Sequence, residues 1–382
     1  MTKNNRNNKN IKVIVGMSGG VDSSVSVALL QQQGYVVEGM FMKNWEEDDT
    51  LEVCSADDDV KDAKNVADKL KVKLHLRNFA SEYWDNVFED FLNEYRIGRT
   101  PNPDILCNRE IKFKTFLENA QDLGADFMAT GHYVDKDFHA GYYRLLKGKD
   151  NNKDQSYFLY TISQAQLAYS IFPLGKIAKP KVREMAQELD LIVADKKDSV
   201  GICFIGEKNF QQFLANYLKP NPGIIVDDKG LDIGQHTGLM YYTIGQRQGL
   251  GIGGVKNAPQ LPWFVVAKNH EKNELITVQG TSNEFLMSQS LLANQLNWIS
   301  GKQPHFPLKC KAKTRYRQSD QDCQILQDKE GQVKVEFTQP QRAVTPGQSV
   351  VFYDKDVCLG GGIIQSTNTL NKKCEFWNKD EK

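Results

Sequence analysis

Apolar positions change their period along this chain, and each change marks a change of element. The run "IKVIV", residues 11–15, is β-branched and uninterrupted, the pattern of a strand buried on both faces of a parallel sheet. From Asp22 to Gln33, "DSSVSVALLQQQ", apolar and small residues return at helical spacing, and Gly34 supplies a stop. "YVVEGMFM" predicts a second strand, so residues 11–42 form a βαβ unit with a right-handed crossover. Amphipathic helices follow at "VKDAKNVADKLKV" and "EYWDNVFEDFLNEYRIG", separated by the strand "KLHLRNF". "FKTFLENAQDLGADFMATGHYV" reads as helix, turn and strand, and "KPKVREMAQELDL" as a further helix with Pro180 in its first turn.

After about residue 206 the helical period gives out. "GIIVDD", "LMYYTIG" and "WFVVAKNHEKNELITV" are short runs between Gly-rich turns, the mark of a small mixed β domain. From about 286, "PLKCKAKTRYR", "DCQILQD", "QVKVEF", "QSVVFYD" and "VCLGGGII" have the spacing of a barrel or sandwich. The expected organisation is a disordered Asn-rich tail at 1–10, an α/β domain with a parallel sheet at 11–206, a central mixed β domain at 207–285 and a C-terminal β-barrel at 286–382.

With 382 residues, 40 % hydrophobic and 25 % charged, the chain has the composition of a multidomain globular protein, and no apolar run approaches a membrane span. The start "MTKNNRNNKN" lacks the apolar core of a secretory signal. Seven cysteines without a C-x-x-C pair argue against a disulfide framework or zinc ribbon and fit a reducing cytoplasm. The net charge of zero leaves any nucleic-acid partner to local basic patches. One candidate is "LKCKAKTRYR": read as a strand, it puts Lys309, Lys311, Lys313, Arg315 and Arg317 on one face. Conversely, residues 46–62 are strongly acidic and suit a basic protein partner better than RNA.

"VIVGMSGGVDSSV", residues 13–25, carries the strongest chemical signal. A strand ends at Val15, Gly16, Gly19 and Gly20 let backbone approach an anion, and Ser18, Ser23 and Ser24 offer hydroxyls at a helix N-terminus. The Walker lysine is absent, and Asp22 is a candidate to help hold magnesium. The S-G-G-x-D-S order resembles the pyrophosphate loop of N-type ATP pyrophosphatases, which implies ATP cleavage between the α and β phosphates and adenylation of a substrate. Gly249, Gly251 and Gly254 match G-x-G-x-x-G, but the two prolines of "VKNAPQLPW" deny the helix that a dinucleotide site needs.

Cys107 lies in "TPNPDILCNREIKF" with Asp104 before it, Arg109 and Lys112 after it and a predicted helix starting near Asn108, so a nucleophile, a ligand and a redox thiol are all open. Cys203, in "DSVGICFIGEKNF", sits between glycines where a loop could carry it into a cleft. Cys54, Cys310, Cys323, Cys358 and Cys374 read as inert.

Together, "GMSGGVDSSV", "FMKNWEEDD", "TPNPDILCNREIKF", "ATGHY", "KDQSYFL", "DSVGICFIG", "YTIGQRQGLGIGG" and "TRYRQ" resemble the bacterial tRNA-specific 2-thiouridylase family over nearly the whole chain beyond the tail. The resemblance implies a PP-loop ATPase (adenine nucleotide α-hydrolase-like) domain and conversion of the wobble uridine of tRNAs for Lys, Glu and Gln to 2-thiouridine. ATP, with magnesium, would bind at Gly16, Met17, Ser18, Gly19, Gly20, Val21, Asp22 and Ser23, with Met42 and Gly131 lining the site. Cys107 would be the nucleophile, Cys203 the persulfide carrier that can form a disulfide with it, and Asp104 an acid/base group. Asn102, Pro103 and Asp104 would meet the flipped base, and His132, Lys153, Asp154, Gln155, Arg315, Tyr316 and Gln348 the tRNA. His132 alone reads as a structural histidine. Sulfur would come from a relay protein or a cysteine desulfurase, for which the acidic stretch is a possible dock.

Overall fold

A computed structural model describes residues 8–46, 55–198, 210–253, 259–329 and 331–369. Val13, Ile14 and Val15 are fully buried in the strand Lys12–Gly16, at the centre of a parallel sheet. Its order is Leu74–Asn78, Val36–Lys43, Lys12–Gly16, Phe127–Ala129 and Ser170–Ile171, with every pairing parallel. Helices Val21–Gln32, Ser55–Leu70 and Lys179–Glu188 share one core with Val13 and Val15, while Ile14 and Met40 face the helical runs 80–96 and 103–122 on the other side. Val21–Gln32 is buried almost all round, and its serines make this tolerable: the Ser24 and Ser26 hydroxyls donate to the Gly20 and Asp22 carbonyls at 2.8 Å.

The central sheet runs Trp263–Asn269, Glu274–Gln279, Gly223–Val226, Asp232–His236. Beyond it, Met287–Trp298, Val333–Arg342, Gln321–Gln327, Leu308–Lys313, Ser349–Asp354 and Val357–Thr369 close into an antiparallel barrel, because the first and last of these strands also pair. The α/β fold with a mixed β domain and a C-terminal barrel is therefore as expected.

Four local expectations are corrected. Asn8–Asn10 is ordered as a short 3-10 turn, with the Asn8 amide donating to the Gln33 carbonyl, so the tail expected at 1–10 is structured from residue 8; residues 1–7 lie outside the described part. "LMYYTIG" forms a 3-10 turn at Leu239–Tyr241 rather than a strand. The strand in "LKCKAKTRYR" stops at Lys313, because the Thr314 amide and hydroxyl both donate to Gln318 Oε1 and turn the chain. The helix expected near Asn108 starts at Pro103.

Two long-range joins also fall outside what periodicity reports. The hairpin Val134–His139/Tyr142–Lys147 leaves the first domain and extends the barrel's sheet, pairing Leu145 and Leu146 with Cys358 and Val357. Helix Phe210–Ala215 packs Phe213 against Trp45 and Phe88, in a cluster where Trp45 and Trp84 stack at 5.7 Å and Phe88 meets Tyr217 at 4.8 Å. Phe88→Ala should lower stability by about 3–5 kcal/mol, read as an earlier first transition in chemical denaturation, while leaving the barrel's transition in place.

Candidate functional site

The glycine loop turns at one position that only glycine tolerates. Gly19 adopts φ +71°, and a β-carbon there would stand 2.4 Å from the Asp59 carbonyl oxygen. Gly20 caps the helix Val21–Gln32 in extended conformation, and no side chain fills its first turn. The Ser23 hydroxyl instead accepts from the Ser18 amide at 3.2 Å and donates to the Gly20 carbonyl, holding the loop closed around the helix start. Gly131 abuts that turn, where an added β-carbon would meet Asp22 and Ser23 backbone at 3.0 and 3.1 Å. Met42 packs beside Gly16, Met17 is buried against Gly39, and Val21 is buried in the sheet-side core. Lys196 staples the loop from outside: its ammonium donates to the Gly19 carbonyl and pairs with Asp59 and Asp62 at 2.7 and 2.6 Å. Two acids of the expected docking stretch are therefore spent on the loop; residues 47–54 lie outside the described part.

Asp22 does not stand ready as a magnesium ligand. Its carboxylate accepts from the Lys179 ammonium at 2.7 and 2.9 Å and from the Tyr133 hydroxyl at 2.7 Å, and no cluster of three metal-ligating side chains exists among the described residues. Lys179 is buried and pairs also with Asp198 at 2.8 Å, which Lys153 and Arg183 hold at 2.6 and 2.8 Å. Burial would raise the Asp198 carboxyl, but the hydrogen bonds of Lys153 and Lys179 bring it down to about 2. Tyr133, Lys179 and Lys196 escape sequence reading because Lys179 and Asp22 are 157 positions apart and no local pattern links them.

Cys107 lies inside a helix, not at its start. Pro103–Leu106 forms the first turn, the Cys107 amide already bonds back to the Pro103 carbonyl, and the helix continues in π-helical form over Cys107–Thr115 before Phe116–Asp122. The thiol is buried, Arg109 and Lys114 pair with Glu110, and the Asn108 amide donates to the Phe158 carbonyl. Phe113 meets His132 at 5.7 Å and Phe116 packs on Gly16, so this one helix reaches the phosphate loop.

Its other end is gripped from both β domains. Gln348 of the barrel donates to the Thr100 and Pro101 carbonyls at 2.8 and 3.1 Å, and the Thr100 amide donates to the Pro346 carbonyl. From the central domain, Thr243 bonds the Thr100 hydroxyl at 3.2 Å and the buried Lys268 donates to the Gly98 carbonyl at 2.8 Å. Thr100, Thr243, Arg315, Thr345 and Gln348 line a cavity of about 300 Å³ at this three-way junction, directly before Asn102, Pro103 and Asp104.

The side chains expected at RNA are largely turned inward. His132 is buried, hydrogen-bonded to Thr130 at 2.7 Å, and burial with nearby Lys112 holds it well below its ordinary value, hence neutral. Asp154 is buried and accepts from Gly148 and Ser156; Gln155 accepts from the Tyr133 amide. Arg315 donates to the Ile244 and Ala343 carbonyls, and Tyr316 packs on Phe158 at 4.4 Å. The single-sign basic face is corrected accordingly: Arg315 and Arg317 lie past the strand, Lys313 approaches Asp154 and Asp320 at 3.7 Å, and Lys311 approaches Asp322 at 3.6 Å. Cys203 lies outside the described residues, as does Gly254.

Comparison with known proteins places this arrangement. Residues 11–207 match the tRNA methyl transferase HUP domain, 211–279 the tRNA methyl transferase PRC-barrel domain and 288–364 the aminomethyltransferase β-barrel domain. The chain is 60 % identical over 93 % of its length, and 99 % of the relative's, to the tRNA-specific 2-thiouridylase MnmA of Francisella tularensis subsp. mediasiatica (strain FSC147). It is 60 % identical over 94 % of its length, and 98 % of the relative's, to that of Pseudoalteromonas translucida (strain TAC 125). A solved NMN synthetase from Francisella tularensis overlaps 52 % of this chain and 71 % of its own at 18 % identity and a TM-score of 0.33.

Gly19→Ala should introduce a clash and about 1–3 kcal/mol of strain, read by calorimetry as a roughly tenfold or greater loss of ATP affinity. Burial pushes the Lys268 ammonium down to about 7, so between that value and its ordinary one the unfolded chain binds more protons and stability rises with pH. Urea midpoints compared at about pH 7 and about pH 9 should show a smaller rise in Lys268→Met than in the unaltered chain; Lys136, pushed to about 8, contributes in the same sense to both.

Proposed function

Because the chain belongs to the tRNA-specific 2-thiouridylase family, we propose that it converts the wobble uridine of tRNA to 2-thiouridine, using ATP to activate the base and cysteine-borne sulfur to replace its oxygen. The observation that carries this reading is the continuous helix with Cys107 on it. One end is fixed beside Asn102 at the three-domain junction and the other, at Phe116, packs on Gly16 of the phosphate loop. Cys107 and Phe116 are nine positions apart on this helix, which separates a phosphate at one end from a base at the other. Methyl transfer fits less well: a glycine loop at an uncapped helix N-terminus suits pyrophosphate, which methyl transfer does not require.

In the proposed sequence the uracil O2 attacks the α phosphorus of ATP and pyrophosphate departs along the first turn at Val21 to Ser23. Magnesium would arrive on the phosphates, since Asp22 is committed to Lys179 and Tyr133. The base, flipped from the anticodon stack, lies against Asn102, Pro103 and Asp104, with Asp104 handling protons. Cys203 carries the sulfane sulfur as a persulfide. The Cys107 thiolate attacks the Cys203 sulfur, a Cys107–Cys203 disulfide forms, and hydrosulfide leaves to add at C2 and expel AMP. Alternatively, the terminal persulfide sulfur bonds C2 first and Cys107 then breaks the S–S bond. Either way the sulfane sulfur is reduced, the two thiols are oxidised, and an external thiol resets the disulfide. The substrates are the tRNAs for Lys, Glu and Gln in the cytoplasm, and the sulfur donor is a relay protein or cysteine desulfurase.

Anticodon nucleosides from tRNA incubated with the protein, ATP, magnesium and a persulfide source should gain one sulfur by mass spectrometry. Cys107→Ser and Cys203→Ser should each lower that gain about 100-fold or more, with tRNA binding retained. Full thiolation by either variant would overturn the relay, and no sulfur gain by the unaltered protein would overturn the function.

A further inference from the structure

Two cysteines that read as inert in the sequence stand together on the barrel. Cys310 on Leu308–Lys313 is the direct cross-strand partner of Cys323 on Gln321–Gln327, and their sulfurs lie 3.7 Å apart. Directly opposed residues in an antiparallel pair hold their β-carbons about 4.5–5.5 Å apart, close to the separation a disulfide uses. Strand pairing thus brings the thiols together without help from the loop between them. Both also line a groove of about 560 Å³, together with Lys309, Lys311 and Lys355 and with Asp322, Asp354 and Glu336. Cys310 is partly exposed and Cys323 is buried, so an incoming molecule meets Cys310 first. Neither thiol belongs to the site around the phosphate loop.

We propose that Cys310 and Cys323 form a second, redox-active dithiol site that takes a small peptide disulfide of the glutathione-disulfide class. The mixed-sign lining suits a ligand that carries both ammonium and carboxylate groups. Cys310 attacks one sulfur of the incoming disulfide, forming a mixed disulfide and releasing one peptide thiol; Cys323 attacks the Cys310 sulfur, forming the Cys310–Cys323 bond and releasing the second. Both protons pass to the departing thiolates, the protein loses two electrons and the peptide disulfide gains them. The Cys323 hydrogen bond, and then burial, hold the Cys310 thiol far above its ordinary range, so the first step is slow and needs a high ratio of disulfide to thiol. The closed bond would clasp the segment between the strands, which carries Arg315 and Tyr316 to their contacts with Ile244, Ala343 and Phe158.

The test equilibrates the full-length folded chain with glutathione disulfide and thiol at stepped ratios, followed by alkylation and non-reducing peptide mapping. The expected product is a 310–323 linked peptide, lighter than the dithiol by two hydrogens, with the circular dichroism spectrum unchanged. Cys323→Ser should stop at glutathione on residue 310, whereas Cys310→Ser should give no adduct on residue 323. Full alkylation of both cysteines in the folded chain at the most oxidising ratio would overturn the proposal, as would a stable glutathione adduct at Cys310 with Cys323 intact. Because the readout is the 310–323 bond itself, its failure leaves the thiolation reading untouched.

Discussion

The amide of Gln348, donating to two consecutive carbonyls at Thr100 and Pro101, is the contact on which the candidate site most depends. Pro101 and Pro103 lack backbone donors, and each biases the residue before it towards extended backbone; Asn102 accordingly sits at φ −118°, ψ 92°. Thr100 and Pro101 lie before the helix that starts at Pro103 and in no strand, so their carbonyls must find donors elsewhere. They find them on the barrel, while Lys268 of the central domain serves Gly98. The helix bearing Cys107 is therefore aimed by parts of the chain far from it in sequence, and the β domains belong to the site even where they offer it no reacting group.

A second constraint is electrostatic. Around the phosphate loop, charges alternate through direct contacts: Asp22, Lys179, Asp198, then Lys153 and Arg183, with Lys196 between Asp59 and Asp62. Burying any one of these ions alone would be costly, and pairing offsets that cost only while every partner stays in place. The network consequently fixes the relative positions of the loop, the helix Lys179–Glu188 and Asp198, the last described residue before the segment that contains Cys203. It also leaves the uncapped helix start, rather than a lysine side chain, as the feature that meets a phosphate.

How much of this was legible follows from distance along the chain. The phosphate loop was readable because strand, glycines and helix are contiguous in "VIVGMSGGVDSSV", and the strands of the barrel were readable from their alternation. The helix bearing Cys107 begins at Pro103 rather than near Asn108, because proline, which lacks a backbone donor, suits a helix's first turn. The basic strand was overextended because Lys-x-Lys alternation runs straight through "TRYR" with no glycine or proline to interrupt it; a side-chain acceptor, Gln318, makes the turn. Thr100 and Gln348, 248 positions apart, left no local trace at all.

His132, Asp154, Arg315 and Gln348 spend polar atoms on Thr130, Ser156, Ala343 and Thr100. A substrate base that must leave its own stack needs a wall that does not yield, because an enclosure that relaxed around it would return the unstacking cost as misalignment. Fully satisfied buried polar networks supply that stiffness better than exposed cations, whose side chains are free to follow a phosphate. On this account the four residues matter through the frame they hold: a substitution that preserves their charge but not their hydrogen-bond geometry, such as Arg315→Lys, disturbs the frame because lysine lacks the planar guanidinium whose Nη2 reaches the Ile244 and Ala343 carbonyls together.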